Sequence, residues 1–149
     1  MPDESASREL AARLAAALSP GDLVLLEGSL GAGKTFLCRE ILYALGLPEQ
    51  EPVTSPTFAL LHEYPTSPPV LHGDLYRLGH ADELLELGLL EQLGGEAIVL
   101  LEWAERFADA LGPIALRIEL EMRGEEARLA RLSSGSPRGA ELLASLASG

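Results

Sequence analysis

The only lysine of this 149-residue chain lies in a segment whose residue types suit phosphate binding. Residues 28–35 read GSLGAGKT and match the pattern G-x-x-x-x-G-K-[ST]. Glycines allow successive backbone N–H groups to turn toward a phosphate, a path that a Cβ atom would obstruct. Because the other ten basic residues are arginines, position 34 selects a compact ammonium over a guanidinium. The residues predicted to bind nucleotide phosphates are Gly28, Ser29, Leu30, Gly31, Ala32, Gly33, Lys34, Thr35 and Phe36.

The flanks of this segment provide the context that a phosphate loop requires. Residues 22–27 form an apolar run that predicts a buried strand, opened by the turn residues 19–21. Residues 36–45 carry apolar side chains at helical spacing, and Gly46 ends the pattern. Strand, loop and helix together direct the amino end of a helix dipole at a polyphosphate. We expect Lys34 to reach the β- and γ-phosphates from the loop surface, and the Thr35 hydroxyl to ligate Mg²⁺.

A second polar group, residues 72–77, follows a predicted strand. Asp74 can ligate Mg²⁺ opposite Thr35, as a second acidic strand end does in P-loop enzymes. The alternative for Asp74 is a turn residue or a helix cap. We expect His72 to be a packed or hydrogen-bonded imidazole. For Arg77 a salt bridge is favoured over contact with a γ-phosphate.

Glu102 and Trp103 end the apolar run 97–101, which is typical of a central strand buried on both faces. A glutamate leaving such a strand beside a phosphate can polarise an attacking water; the alternative is a solvated surface carboxylate. For Trp103, the only tryptophan, core packing is the default and nucleotide or partner contact the alternative. Residues 53–58, which include Thr57, form either a loop ordered by γ-phosphate and Mg²⁺ or a polar turn.

Composition narrows the class of protein. The formal net charge is −12, so nucleic-acid backbones and anionic membranes are expected to repel the chain. The longest unbroken apolar runs have five residues, too short to span a membrane. A single cysteine, Cys38, excludes an internal disulfide, and no cysteine–histidine cluster has zinc spacing. With an acidic start unlike a signal peptide, these features predict a cytoplasmic protein.

The remaining pattern predicts a single α/β domain over residues 1–149. The other expected elements are helices over 5–18, 81–93 (with a break near Gly88), 105–111 and 137–147, and strands over 58–64, 70–72, 114–122 and 127–132. The last two strands form an antiparallel hairpin. We infer a three-layer, P-loop NTPase-like fold with a mixed central sheet, helices on both faces and a C-terminal antiparallel hairpin.

Together these motifs resemble the TsaE (YjeE) family, P-loop ATPases of bacterial tRNA modification. The resemblance rests on GAGKT at 31–35, SPTF at 55–58, HGDLYR at 72–77 and EW at 102–103, and extends over roughly residues 3–147. The phosphate loop alone is widespread, and the pair SPTF and DLYR is more specific. Phe36 stands where the family often has a second threonine. Leu30 follows Ser29, whereas in the family the residue before this position is frequently acidic. Neither departure removes a phosphate or metal contact.

The resemblance implies an ATPase dependent on Mg²⁺ that acts with TsaB and TsaD. The product would be N6-threonylcarbamoyladenosine on tRNA next to the anticodon. It further implies Lys34 on the phosphates, Thr35 and Asp74 on Mg²⁺, Thr57 near the γ-phosphate and Glu102 in the hydrolysis step. Hydrolysis would be slow without partners, and tRNA would be contacted only through the assembled complex.

Two other classes of function stay open. One is a nucleotide-sensing binding module with negligible hydrolysis. The other is a small-molecule kinase, which is disfavoured because the arginines are dispersed and form no arginine-rich lid segment. A GTPase is disfavoured because the usual Asn/Thr-Lys-x-Asp guanine motif needs a lysine other than Lys34.

Overall fold

A computed structural model describes residues 4–28, 34–48, 50, 61–75, 80, 88–93, 95–123, 127–134 and 136–148. Within them, helices and strands follow one another in the order α1 (Glu4–Ala17), β1 (Leu23–Glu27), α2 (Lys34–Ala44), β2 (Leu61–Tyr64), β3 (Val70–Asp74), α3 (Leu89–Gln92), β4 (Ile98–Glu102), a 3₁₀ turn (Glu105–Phe107), α4 (Ala108–Leu111), β5 (Leu116–Arg123), β6 (Ala127–Ser133) and α5 (Pro137–Ser148). Of the helices described, none has the length and apolar character needed to cross a membrane.

The strands form a six-stranded mixed sheet in the order β2-β3-β4-β1-β5-β6. Strand β1 is parallel to both of its neighbours, β4 and β5, and β3 is parallel to β4. The edge strands β2 and β6 are antiparallel, and β6 forms the predicted C-terminal hairpin with β5. The α/β fold with a mixed sheet is therefore confirmed. Because β1, β3 and β4 run in the same direction, their carboxyl ends meet at one edge of the sheet.

Two hydrophobic clusters lie on opposite faces of this sheet. In β1, Val24 and Leu26 belong to the cluster beneath α1, α2 and α5, whereas Leu23 and Leu25 belong to the other. Successive strand residues point to opposite faces, so an unbroken apolar run supplies both clusters. Strand β4 repeats this arrangement, and all five of its residues are buried. The predicted central strand buried on both faces is confirmed.

Helix α2, which follows the predicted phosphate loop, ends as its sequence indicates. Gly46 adopts the left-handed conformation (φ 109°) that a glycine tolerates beyond a helix. The Leu47 N–H donates to the Leu42 carbonyl at 3.0 Å, and the Gly46 N–H donates to the Tyr43 carbonyl at 3.1 Å. This pair of bonds is a Schellman motif, and buried Leu47 packs into the first cluster beneath it.

Several predicted elements are only partly covered by the described residues. The strand predicted over 58–64 is described from Leu61 onward, and the helix predicted over 81–93 is described only from Gly88. There α3 follows Gly88, which has a φ of 73°, and the predicted break within a longer helix stays a prediction. The helix predicted over 105–111 divides into the 3₁₀ turn and α4. The organisation as a single domain over 1–149 stays a prediction.

An ion pair between buried Asp22 and partly exposed Arg138 joins the amino end of β1 to α5. Arg138 donates from Nε and Nη2 to the two carboxylate oxygens of Asp22, each at 2.9 Å. The Arg138 Nη2 group also donates to the Ala17 carbonyl at 2.9 Å, and the Ser19 N–H donates to Asp22 at 2.8 Å. The Asp22 side chain is 6% exposed, so these contacts satisfy a carboxylate that has been removed from water.

Candidate functional site

The predicted phosphate loop begins and ends at the carboxyl edge of the sheet. Strand β1 leads into Gly28, whose φ of 143° lies where residues with a Cβ are rarely found. Helix α2 begins at Lys34, so its amino end lies at the same edge. Residues 29–33 lie outside the described part of the chain, and for Thr35 the backbone is described but not the side chain. The strand and helix of the predicted strand–loop–helix unit are thus confirmed, while the phosphate contacts stay predictions.

Lys34 is buried, with 5% of its surface exposed. The expectation that it lies at the loop surface is therefore wrong. Its ammonium donates to the Gly28 carbonyl at 2.5 Å and lies 3.4 Å from the centroid of the Trp103 ring. The four-carbon stem folds back across the start of the loop, and the indole covers the charged end. A ring face attracts a cation through its quadrupole, which compensates part of the lost hydration.

The charges of three carboxylates influence the pKa of this ammonium. Burial lowers the pKa of Lys34 below its ordinary value, and the negative charges of Glu102, Glu105 and Asp74 oppose that shift. The opposing charges come from β3, β4 and the 3₁₀ turn, so three elements direct negative potential at one cation. A lysine that is both buried and influenced by several carboxylates is a candidate for a functional group.

The two predicted acidic strand ends lie side by side. Strands β3 and β4 are parallel neighbours, and Asp74 is the register partner of Glu102. The Leu75 N–H extends the pairing by donating to the Glu102 carbonyl at 3.0 Å. Asp74 is partly exposed, whereas Glu102 is 2% exposed. The alternative of a solvated surface carboxylate at Glu102 is therefore wrong, because the side chain is buried.

Glu102 is bound to the histidine of the preceding motif. His72 is fully buried, and its Nε2 lies 2.6 Å from Oε2 of Glu102. The prediction of a packed, hydrogen-bonded imidazole is confirmed. Cys38 of α2 completes the group: its sulfur and one ligand atom each of His72 and Glu102 all lie within 4.8 Å of one another. Burial, together with the charge of Glu102, raises the pKa of the Cys38 thiol well above its ordinary value, which keeps it protonated.

Trp103 has an unusual backbone conformation. It follows β4 directly, is half-buried, and has a φ of 59°. A left-handed conformation in a bulky residue costs about 1–3 kcal/mol and persists only where the surroundings enforce it. Here it accompanies an indole face placed on the Lys34 ammonium. Strain of this kind concentrates at functional sites.

Comparison with known proteins identifies the family. Residues 1–131 match the family model described as "Threonylcarbamoyl adenosine biosynthesis protein TsaE". The chain belongs to the TsaE family. TsaE proteins are named for tRNA threonylcarbamoyladenosine biosynthesis, and this TsaE-family chain is assigned to that process at the level of the family.

Individual relatives agree across distant bacteria. The chain is 43% identical to a "tRNA threonylcarbamoyladenosine biosynthesis protein TsaE" of Rickettsia felis, over 90% of this chain and 78% of the relative. The Bacillus subtilis protein of the same name is 37% identical over 85% of this chain and 77% of the relative. Among solved structures, the crystal structure of Bacillus subtilis YdiB matches with a TM-score of 0.79 at 27% identity, covering 99% of this chain and 91% of that one.

The described residues fit a nucleotide phosphate and a divalent cation. Within the described part of the chain, the direct contacts of the Lys34 ammonium are an uncharged carbonyl and an aromatic ring, which an anionic phosphate oxygen can replace. Asp74 offers a partly exposed carboxylate at the same edge, and oxygen donors are the ligands that Mg²⁺ prefers. Lys34 and Asp74 therefore have the charges and donor atoms that a phosphate and a metal ion require.

Some predicted site residues lie outside the described residues, and some contacts of the site were not predicted from the sequence. Thr57 and Arg77 fall in the first group, as does the whole of 53–58. Trp103 falls in the second, because the default for a lone tryptophan is core packing, yet its ring lies on Lys34. The bond between His72 and Glu102 also escaped, since no local pattern links residues 30 positions apart.

Proposed function

We propose that this TsaE-family chain binds ATP with Mg²⁺ at the carboxyl edge of β1, β3 and β4 and hydrolyses it. The reaction would serve threonylcarbamoyladenosine formation on tRNA in the cytoplasm, together with TsaB and TsaD. The observation that carries the proposal is the buried Lys34 ammonium at the start of α2, at the edge of the sheet where β3 and β4 end in the paired residues Asp74 and Glu102. A cation and two carboxylates at the end of parallel strands are the electrostatic components of a phosphoryl-transfer site.

Phosphate binding would use an exchange of partners at Lys34. On nucleotide binding the ammonium leaves the Gly28 carbonyl for β- and γ-phosphate oxygens, and a charge-assisted bond replaces a charge–dipole bond. The amino end of α2 adds its dipole, and residues 28–36 supply the surrounding backbone groups. The burial of Lys34 strengthens both interactions, since the effective dielectric constant is lower there than in water.

The hydrolysis step would use the two carboxylates in different ways. Asp74 and Thr35 would hold Mg²⁺, which when bound neutralises charge on the phosphates. Glu102 would orient the attacking water and accept its proton, and Thr57 would lie near the γ-phosphate. Because Glu102 is 2% exposed, its carboxylate is largely shielded from bulk water.

A phosphate-release assay tests the ATPase directly. The purified chain is assayed with ATP and Mg²⁺, alone and with TsaB and TsaD, with Glu102→Gln as the control for hydrolysis. We expect turnover that rises on addition of the partners and falls at least about a hundredfold in Glu102→Gln. Tight ATP binding without phosphate release in any mixture would favour a nucleotide sensor, and phosphate transfer to an added acceptor would favour a kinase.

Binding to tRNA would proceed through a protein partner. A net charge of −12 deprives the isolated chain of the counterion release that drives proteins onto RNA. In a gel shift at physiological salt, tRNA should therefore not bind the chain alone, while the chain should co-elute with TsaB and TsaD in at least one nucleotide state. Tight tRNA binding by the isolated chain would contradict this part of the proposal, as would the absence of co-elution with ATP, with ADP and without nucleotide.

A further inference from the structure

The hydrogen bond between His72 and Glu102 links the two acidic motifs of the site. His72 and Asp74 are two positions apart on β3 and so share a face of the sheet. On β4 the same holds for Leu100 and Glu102, whose register partners are His72 and Asp74. The imidazole therefore reaches diagonally along the sheet to the glutamate, and the distance of 2.6 Å from Nε2 to Oε2 is that of a strong bond.

The imidazole makes this contact with one nitrogen alone. Its Nδ1 atom is buried and has no hydrogen-bond partner among the described residues. An ionised carboxylate is an acceptor, so the shared proton belongs on Nε2, which donates to Glu102. The ring thus directs one donor at Glu102, and its buried Nδ1 acceptor finds no partner in the part of the chain that the structure describes. An unsatisfied buried acceptor costs stability compared with an apolar side chain of similar size.

The bond restrains a side-chain torsion that has broad minima. Rotation of a glutamate carboxylate about its last bond is broad, because sp³–sp² torsions have no sharp staggered minima. The bond of Oε2 to His72 therefore restrains the orientation of the carboxylate plane from β3. Cys38 packs on the same pair from α2, one helical turn after Lys34, so the held carboxylate lies against the helix that would carry the phosphates.

We propose that His72 is a positioning residue for Glu102 in ATP hydrolysis. Its Nε2–H group holds Oε2, so that the second carboxylate oxygen is presented to the attacking water in a fixed direction. The inference rests on the proposed function, and it assigns His72 no contact with nucleotide. Because the bond orients a proton acceptor and touches no phosphate, its loss lowers kcat and leaves the binding of ATP unchanged.

Two amide substitutions separate positioning from packing. The amide nitrogen of glutamine reaches the position of Nε2, whereas that of asparagine reaches only the position of Nδ1, for which the described residues offer no partner. His72→Gln can therefore restore the donor to Glu102 and His72→Asn cannot. His72→Leu fills the volume without a donor. Each variant is assayed with TsaB and TsaD for kcat, KM and the Kd of ATP, and its thermal unfolding is recorded.

We expect His72→Asn and His72→Leu to lower kcat about 30-fold, since a general base that is misplaced by a fraction of an ångström loses much of its effect. KM and Kd should stay within about twofold of wild type, and His72→Gln should recover kcat to within about fivefold. Combining His72→Leu with Glu102→Gln should cost no more than Glu102→Gln alone, because both act on the same group.

Other outcomes overturn the inference. A His72→Leu variant with wild-type kcat overturns it. So does an equal kcat of His72→Gln and His72→Asn. A variant whose loss of activity is confined to KM overturns it as well. If any variant does not fold, an Nε2–H proton resonance of the wild-type His72 that is absent or exchanges freely with solvent overturns it as well. Failure of the proposed function looks different: the wild type itself then releases no phosphate with its partners, and the positioning role falls with it.

Discussion

Both ends of the central strand β1 bury a charged side chain, but they treat it in opposite ways. At the amino end, the carboxylate of Asp22 meets a guanidinium of opposite charge and a backbone N–H, at distances of 2.8–2.9 Å. At the carboxyl end, the ammonium of Lys34 lies against a backbone carbonyl and an indole ring. The first set of direct contacts includes an opposite charge, and the second consists of uncharged groups.

In the proposed function, this difference distinguishes a charge that stabilises the fold from a charge that binds a ligand. A bidentate pair leaves no capacity for a new partner, and separating it would strand an ion inside the protein. A carbonyl and a ring can be exchanged for phosphate, because the new bond is stronger than the one given up. The same chain therefore stabilises its fold with one buried charge and, in the proposed function, binds its nucleotide with the other.

Lys34→Met tests the ligand end and has the largest expected effect. The affinity for ATP should fall about a thousandfold, or about 4 kcal/mol, as when a charged partner is removed from a buried pair. The free energy of unfolding should not fall, since methionine fills the same space without burying a charge. Calorimetric titration and urea denaturation measure the two quantities.

Arg13→Met, which removes an exposed cation from α1, is the control for net charge and should change neither the affinity for ATP nor the free energy of unfolding. Unchanged ATP affinity in folded Lys34→Met would contradict the assignment of the phosphate loop.

Arg138→Met tests the structural end and should behave in the reverse manner. It leaves Asp22 buried without its cation, which should lower the free energy of unfolding by about 3 kcal/mol. The affinity for ATP should stay within about twofold of wild type, because the pair lies at the opposite edge of the sheet. Urea midpoints and calorimetric titrations decide both points. Arg131→Met is the matched control: it breaks exposed pairs with Glu119 and Glu121 and should cost less than about 1 kcal/mol. Equal losses in the two variants would remove the distinction between the ends.

Asp74→Asn asks whether the partly exposed carboxylate beside Glu102 serves a metal. Loss of an ionised oxygen ligand weakens a site for a hard cation, while Lys34 still holds the phosphates. We expect hydrolysis to fall about 30-fold and ATP affinity less than about fivefold, with part of the rate regained at high Mg²⁺. The control is Asp109→Asn, an exposed change on α4. Wild-type turnover of Asp74→Asn at ordinary Mg²⁺ would return Asp74 to the role of a turn residue.

The sequence predicts the fold of this chain better than the contacts of its site. The apolar runs of β1 and β4 and the helical spacing after Lys34 are local patterns, and the elements that they predict are present. The exposure of Lys34 was predicted wrongly, because a local pattern does not reveal that an indole 69 positions later covers the ammonium. The pairs His72 with Glu102 and Asp22 with Arg138 depend on strand order and helix docking, which arise only when the whole sheet assembles.

The smallest expected effect concerns the ring that shelters Lys34. A cation–π contact is worth about 0.5–2 kcal/mol, so its loss on nucleotide binding is easily offset by a charge-assisted bond to phosphate. Because Trp103 is the only tryptophan, its fluorescence reports this exchange without interference from other indoles. In the wild type, we expect titration with ATP and Mg²⁺ to change the Trp103 emission until the change reaches a plateau. No change should occur in Lys34→Met, which has no ammonium to release. Saturating ATP binding, measured by calorimetry, with unaltered emission would mean that the ammonium stays on the ring. Lys34 would then resemble Asp22 at the other end of β1, because both charged side chains would keep the partners that they have without nucleotide.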